Sequence, residues 1–112
     1  MASIPLTPEV LALVADRFKA LGEPARLRIL NALREGEASV GELTDATGLG
    51  QANLSKHLQM LYALGFVDRR KEGLYVFYRL ADEEVFRLCD VMCGRIEREA
   101  AERRETLQQG AA

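Results

Sequence analysis

The sequence predicts a mainly α-helical fold with one small β-hairpin. Three observations carry that prediction. Apolar residues recur at three- and four-residue steps along most of the chain. Gly22, Gly36 and Gly65 each stand just past such a segment, where helices stop. Only between Phe66 and Leu80 does the period change, to that of strands.

Thr7-Pro8-Glu9 opens the first helix. Thr7 is its N-cap, Pro8 suits the first turn, and Glu9 complements the helix dipole. Val10, Leu11, Val14, Phe18 and Leu21 form its apolar stripe. Glu23-Pro24 starts a second helix with Leu27, Ile29, Leu30 and Leu33 as its buried side. Ser39 begins a short third helix, where Ser39 and Glu42 have capping-box spacing and Val40, Leu43 and Ala46 face inward. Thr47-Gly48-Leu49-Gly50 is a tight turn into a fourth helix. Leu54, Leu58, Leu61 and Leu64 form one stripe there, and Gly65 takes the left-handed cap. Two short helices joined by a small glycine-containing turn make the helix-turn-helix pattern.

Residues 66–72 and 74–80 read as two strands, with the turn at Lys71-Glu72-Gly73. A charged hairpin directly after a helix-turn-helix reads as a wing, the bland alternative being a plain hairpin over the core. Ala81-Asp82-Glu83-Glu84 opens the last helix with acids in its first turn. Its apolar positions, Val85, Phe86, Leu88, Cys89, Val91, Met92, Cys93 and Ile96, are more than one flank of a small domain needs. The first helix is similarly apolar, so the terminal helices predict a dimer interface. Residues 103–112 read as a frayed tail. The whole, 1–112, is expected to be a single winged helix-turn-helix domain.

Composition narrows the function classes. A chain of 112 residues fits one modest core, and 48% hydrophobic residues exclude a disordered chain. No apolar run approaches the ~20 residues of a membrane span, and the N-terminus carries no secretion signal. Two cysteines do not make a disulfide framework, so a cytoplasmic protein with free thiols is expected. One histidine, two thiols and no glycine-rich phosphate loop offer no catalytic constellation, so an enzyme is not expected. Net charge is -2, which argues against nonspecific nucleic-acid binding, but the location of charge matters more. Acids collect at Glu35, Glu37, Glu42 and Asp45, and again at 82–84. Bases sit at Lys56, Arg69, Arg70 and Lys71.

The fourth helix carries the functional signal. Gln51, Asn53, Ser55, Lys56 and Gln59 are amides, a hydroxyl and a cation, with no acid among them. Such side chains bond base edges and phosphates. A DNA recognition helix is one reading, and an ordinary amphipathic surface helix is the other.

Order and motifs together resemble the ArsR/SmtB family of bacterial winged-helix repressors over about residues 15–97. The resemblance is carried by residues 21–30, Leu-Gly-Glu-Pro-Ala-Arg-Leu-Arg-Ile-Leu, and by Ser39-Val40-Gly41-Glu42-Leu43. Gln51 with Ser55, His57 and Leu58, then Gly65-Phe66-Val67, then Gly73 with Tyr78-Arg79-Leu80 complete it. It implies a cytoplasmic homodimer that binds double-stranded DNA at an inverted-repeat operator and is released by an inducer. It places Gln51, Asn53, Ser55, Lys56, His57 and Gln59 in the major groove, and Arg69, Arg70 and Lys71 on wing-side phosphates. A winged-helix protein-interaction module is the alternative, because fold does not fix function.

The family's metal positions are mostly changed. Ser39, Val40 and Gly41 stand where its thiolate site has Cys-Val-Cys. Asp82 and Glu84 stand at the start of its zinc site, but Arg95 and Arg98 occupy the later positions, and arginine cannot ligate. Cys89 and Cys93 remain, with spacing that puts both sulfurs on one helix face. Three readings stay open for them: buried apolar residues, ligands for a soft metal or metalloid (arsenite, cadmium or copper(I)), or a redox or persulfide switch. An intrahelical disulfide at this spacing would strain the helix.

Overall fold

The computed structural model describes residues 4–110. It divides into two compact units, one up to Ala81 and one from Asp82 on. The first contains α1 (Pro8–Leu21), α2 (Pro24–Ala32), β1 (Ala38–Ser39), α3 (Val40–Thr47), α4 (Gln51–Ala63), β2 (Val67–Glu72) and β3 (Tyr75–Leu80). The second contains the long helix α5 (Val85–Gly110).

Local chemistry sets the helix ends. The Val10 N–H donates to Thr7 Oγ1 at 3.2 Å, which caps α1, and Gly22 ends it. Ser39 and Glu42 form the full capping box of α3: the Glu42 N–H donates to Ser39 Oγ, and the Ser39 N–H donates to Glu42 Oε1. Gly48 closes α3 at φ 73°. Beyond α4, Phe66 N–H donates to the Leu61 carbonyl and Gly65 N–H to the Tyr62 carbonyl. This Schellman pairing holds Gly65 at φ 82°, a conformation that favours glycine.

The core of the first unit gathers Ile29, Leu30 and Leu33 with Leu43, the α4 stripe Leu54, Leu58 and Leu61, and Val67 and Tyr78 of the sheet. Each fully buried leucine contributes roughly 1.5–3 kcal/mol over leaving it exposed. Two inward expectations shift, and a third holds in a different element. Leu27 is exposed, because the short α2 turns Ile29 and Leu30 inward instead. Leu33 is buried but belongs to a 3-10 turn, Leu33–Glu35, that closes α2. On α3, Ala46 is exposed, and Thr47 is buried in its place. The Thr47 hydroxyl donates to the Leu43 carbonyl and accepts the Leu49 N–H, so its polar atom is satisfied.

The sheet has three strands rather than the two of a hairpin. Its order is β1-β3-β2, antiparallel throughout, with Ala38 opposite Tyr78 and Ser39 opposite Phe77. A two-residue strand carries no readable period. Within the hairpin Glu72 pairs with Tyr75. The tip is therefore Gly73-Leu74, one residue later than Lys71-Glu72-Gly73. Gly73 at φ 60° supplies the left-handed residue that a two-residue loop requires, and Leu74 is 97% exposed.

The last helix also differs at both ends. It begins at Val85, because Asp82 Oδ1 accepts the Glu84 N–H and shapes a turn before the helix. It runs on to Gly110, past the tail boundary expected at 103. Residues 98–109 are rich in Ala, Glu, Arg and Leu, which propagate helix, and Arg95 pairs with Glu99 at 3.1 Å. The last two residues of that expected tail lie outside the described residues. Among the described residues no helix is long and apolar enough to cross a membrane.

Candidate nucleic-acid interface

The leucine stripe decides which face α4 offers outward. With Leu54, Leu58 and Leu61 fully buried, the row at Ala52, Lys56, Gln59 and Ala63 lies on the opposite side and is exposed. Asn53 and Met60 flank this row on one side, and Gln51, Ser55 and Tyr62 flank it on the other. No carboxylate occurs between Asp45 and Asp68, so the whole exposed helix is free of acids. Lys56 makes no ion pair among the described residues. Small Ala52 and Ala63 leave its ammonium and the Gln59 amide standing clear.

His57 stands apart from the other sequence-selected residues. It is half-buried, and its Nδ1 accepts a hydrogen bond from Arg26 Nε of α2 at 3.1 Å. Arg26 also donates through Nη1 to the Ala20 carbonyl near the end of α1. Arg28 donates to the Thr47 carbonyl, at the end of α3. Two arginines of α2 thus tie down the elements on which α4 rests.

The hairpin separates the three cations expected to act together. Side chains alternate along a strand, so Arg69 and Lys71 share the face of buried Val67, and Arg70 takes the opposite face. The Arg69 guanidinium lies 4.0 Å from the Tyr62 ring centroid, a cation–π contact that joins the hairpin to α4. Lys71 is exposed and makes no ion pair among the described residues. Arg70 is engaged through all three of its nitrogens: its Nη2 and Nε donate to the two Glu37 oxygens at 2.6 and 2.9 Å, and its Nη1 donates to Glu72 at 2.7 Å. Its guanidinium also lies 4.6 Å from the centroid of Phe77, its cross-strand partner. These bonds hold the Glu37 carboxyl below the usual carboxylate range and push Arg70 upward. Asp68 and Arg79, another cross-strand pair on that face, stand 3.7 Å apart. The local basic charge is therefore Lys56, Arg69 and Lys71.

Arg26, Arg28 and Tyr62 were not singled out by sequence reasoning. Tyr62 carried a readable signal: it follows Ser55 by seven residues on the same helix face. The two arginines stand in the motif of residues 21–30, but nothing there names their partners, which lie on other elements.

On α5, Leu88, Val91, Met92 and Ile96 are exposed, as are Leu11, Leu13 and Phe18 on α1. Both thiols are free; Cys93 is exposed and Cys89 half-buried. Among the described residues no three ligating side chains gather into a metal site.

Comparison with known proteins identifies the fold and the family. The profile described as "Bacterial regulatory protein, arsR family" matches residues 23–69. The chain is 42% identical over 79 residues to a biofilm growth-associated repressor of Agrobacterium fabrum, spanning 70% of this chain and 68% of the relative. It is 39% identical over 88 residues to the HTH-type transcriptional regulator NmtR of Mycobacterium tuberculosis, covering 79% and 73%. A homodimeric winged helix-turn-helix DNA-binding domain from Mycobacterium bovis, solved by NMR, superposes with a TM-score of 0.72 at 35% identity, covering 89% of this chain and 94% of that one. The transcriptional repressor BigR from Xylella fastidiosa superposes with a TM-score of 0.66 at 37% identity, covering 75% and 86%. This winged helix-turn-helix chain belongs to the ArsR family of bacterial regulatory proteins.

Proposed function

We propose that this chain is a homodimeric repressor that binds an inverted-repeat operator in duplex DNA and releases it on an inducing signal. One observation carries the reading: α4 offers an exposed, acid-free row around Lys56 and Gln59, flanked by Asn53 and Gln51, on a helix pinned by three fully buried leucines. Rigid presentation of amides and a cation is what base and phosphate contacts require. Arg69 and Lys71 supply the wing-side phosphate contacts. His57 and Arg70 act by positioning, since both are committed to partners within the chain. The apolar residues exposed on α1 and α5 supply the dimer contact, consistent with the homodimeric Mycobacterium bovis relative. A dimer presents α4 twice, which matches a two-fold operator.

Cys89 and Cys93 are the proposed entry point for the signal, a thiol-reactive species or a soft metal or metalloid such as arsenite, cadmium or copper(I). Both are unpaired and share one face of α5. Two thiols from each chain would give a dimer the ligand number that one chain lacks.

The test is selection of bound sequences from random duplexes by the purified reduced protein. A palindromic motif is expected, with binding lost on Lys56→Glu and Gln59→Ala. No enriched motif would leave an interaction module as the better reading. Release by arsenite or polysulfide should then be abolished in Cys89→Ser and Cys93→Ser; unchanged release would remove the thiols from sensing.

A further inference from the structure

A groove of about 330 Å³ separates the start of α4 from the tip of the hairpin. Ser39, Thr44, Gln51 and Ser55 line one side, and Leu74 and Tyr75 line the other. No charged side chain of the described residues lines it. The Gln51 amide, the Ser55 hydroxyl and the Tyr75 hydroxyl make no hydrogen bond among the described residues, so all three remain available for an outside partner.

From this geometry we infer that the groove seats one sugar–phosphate strand of the operator and holds it with uncharged donors: the Ser55 and Tyr75 hydroxyls and the Gln51 amide. The inference rests on the DNA-binding reading above. If α4 lies in the major groove and the hairpin tip lies in the next minor groove, the strand dividing those grooves must pass between them. The groove is the space between them. Hydroxyl and amide groups are regular phosphate donors, and an ionised acceptor strengthens their bonds. Leu74, 97% exposed at the tip, then stands on the minor-groove side of that strand. Minor-groove binders use apolar side chains there as wedges.

The arrangement also suits the charge of the chain. With Arg70 tied to two carboxylates, the basic charge around α4 and the hairpin is confined to Lys56, Arg69 and Lys71. Neutral donors supply affinity without releasing further counterions, so they strengthen binding without steepening its dependence on salt.

The experiment uses the full chain and the best duplex from the random selection, with Kd measured across a series of salt concentrations. Ser55→Ala and Tyr75→Phe are each expected to weaken binding about three- to tenfold at every salt concentration, with the slope unchanged. Lys56→Gln removes one phosphate contact from each protomer of the dimer and is expected to weaken binding and to reduce the slope by about 1.8. A duplex carrying one methylphosphonate at the phosphate between the two grooves should bind wild type more weakly. The penalty should be smaller for the Ser55→Ala, Tyr75→Phe double variant, and an equal penalty in both proteins would overturn the assignment. If Lys56→Gln weakens binding but Ser55→Ala and Tyr75→Phe match wild type, the groove does not hold the strand, although DNA binding stands. If the two variants flatten the salt slope, the neutral grip is wrong. If wild type binds no duplex, the DNA-binding reading fails, and the groove assignment fails with it.

Discussion

Arg26 Nε donates to His57 Nδ1 at 3.1 Å, linking α2 to the inner flank of α4. Because Nδ1 accepts, the neutral ring carries its proton on Nε2. Arg26 uses a second nitrogen for the Ala20 carbonyl. Arg26→Ala should leave the His57 nitrogen and that carbonyl short of a partner, lowering stability by about 1–2 kcal/mol in urea denaturation. Operator affinity should fall while the selected sequence stays the same, because the pair positions α4 rather than reads bases. A changed motif in His57→Ala would show that His57 touches DNA directly.

The Arg70–Glu37 pair predicts a pH dependence with a definite sign. The Arg70 hydrogen bonds hold the folded Glu37 pKa below its unfolded value. Its stabilising contribution is therefore present above about pH 4.3, the ordinary glutamate value, and is lost as pH falls through the folded pKa. Glu42 behaves alike, chiefly because the Ser39 backbone N–H bonds its carboxylate. The stability gap between wild type and Glu37→Gln should close as pH is lowered below about 4.3, and a gap constant with pH would contradict the assignment. The pair is solvent-exposed, so high salt should also narrow the gap.

Separation of the wing cations predicts unequal salt behaviour. Lys71→Gln, which removes one contact from each protomer of the dimer, should lower the slope of log K against log salt by about 1.8, and Arg70→Gln should leave it nearly unchanged. Equal effects from both would mean that Arg70 leaves Glu37 and Glu72 to meet a phosphate.

Leu58 is fully buried in the α4 stripe, one turn beyond Leu54. Leu58→Ala should cost about 2–5 kcal/mol by cavity formation. A loss under about 1 kcal/mol would show that the site collapses around the void.

Gly65 sits at φ 82°, and a Cβ added there would meet nothing within 4 Å, so space is not the constraint. Gly65→Ala should still destabilise by about 1–2 kcal/mol, through left-handed strain alone. An unchanged denaturation midpoint would show that the α4–β2 junction relaxes out of that conformation.

Much of this molecule could be read from its residues in order. The Thr7 cap, the Ser39–Glu42 box, the Gly65 terminus and the α4 stripe all depend on neighbours within a turn or two, so spacing alone determined them. The hairpin followed from the change of period after Gly65. The family was likewise visible in the motifs of residues 21–80. Long-range pairing was not. Whether His57 faced outward depended on Arg26, thirty-one residues away, and whether Arg70 was free depended on Glu37, thirty-three residues away. The short strand β1 exists only because β3 pairs with it, and the groove between Ser55 and Tyr75 exists only once the hairpin folds back beside α4. Sequence therefore determined which chemistry the chain carries and the order of its main elements, whereas the end of α2, the hairpin tip and both ends of α5 were set by the fold. Tertiary structure decided how those groups are committed, because a partner within the fold fixes where a side chain points: Arg70 turns three of its five N–H donors to Glu37 and Glu72, and His57 turns its Nδ1 lone pair to Arg26.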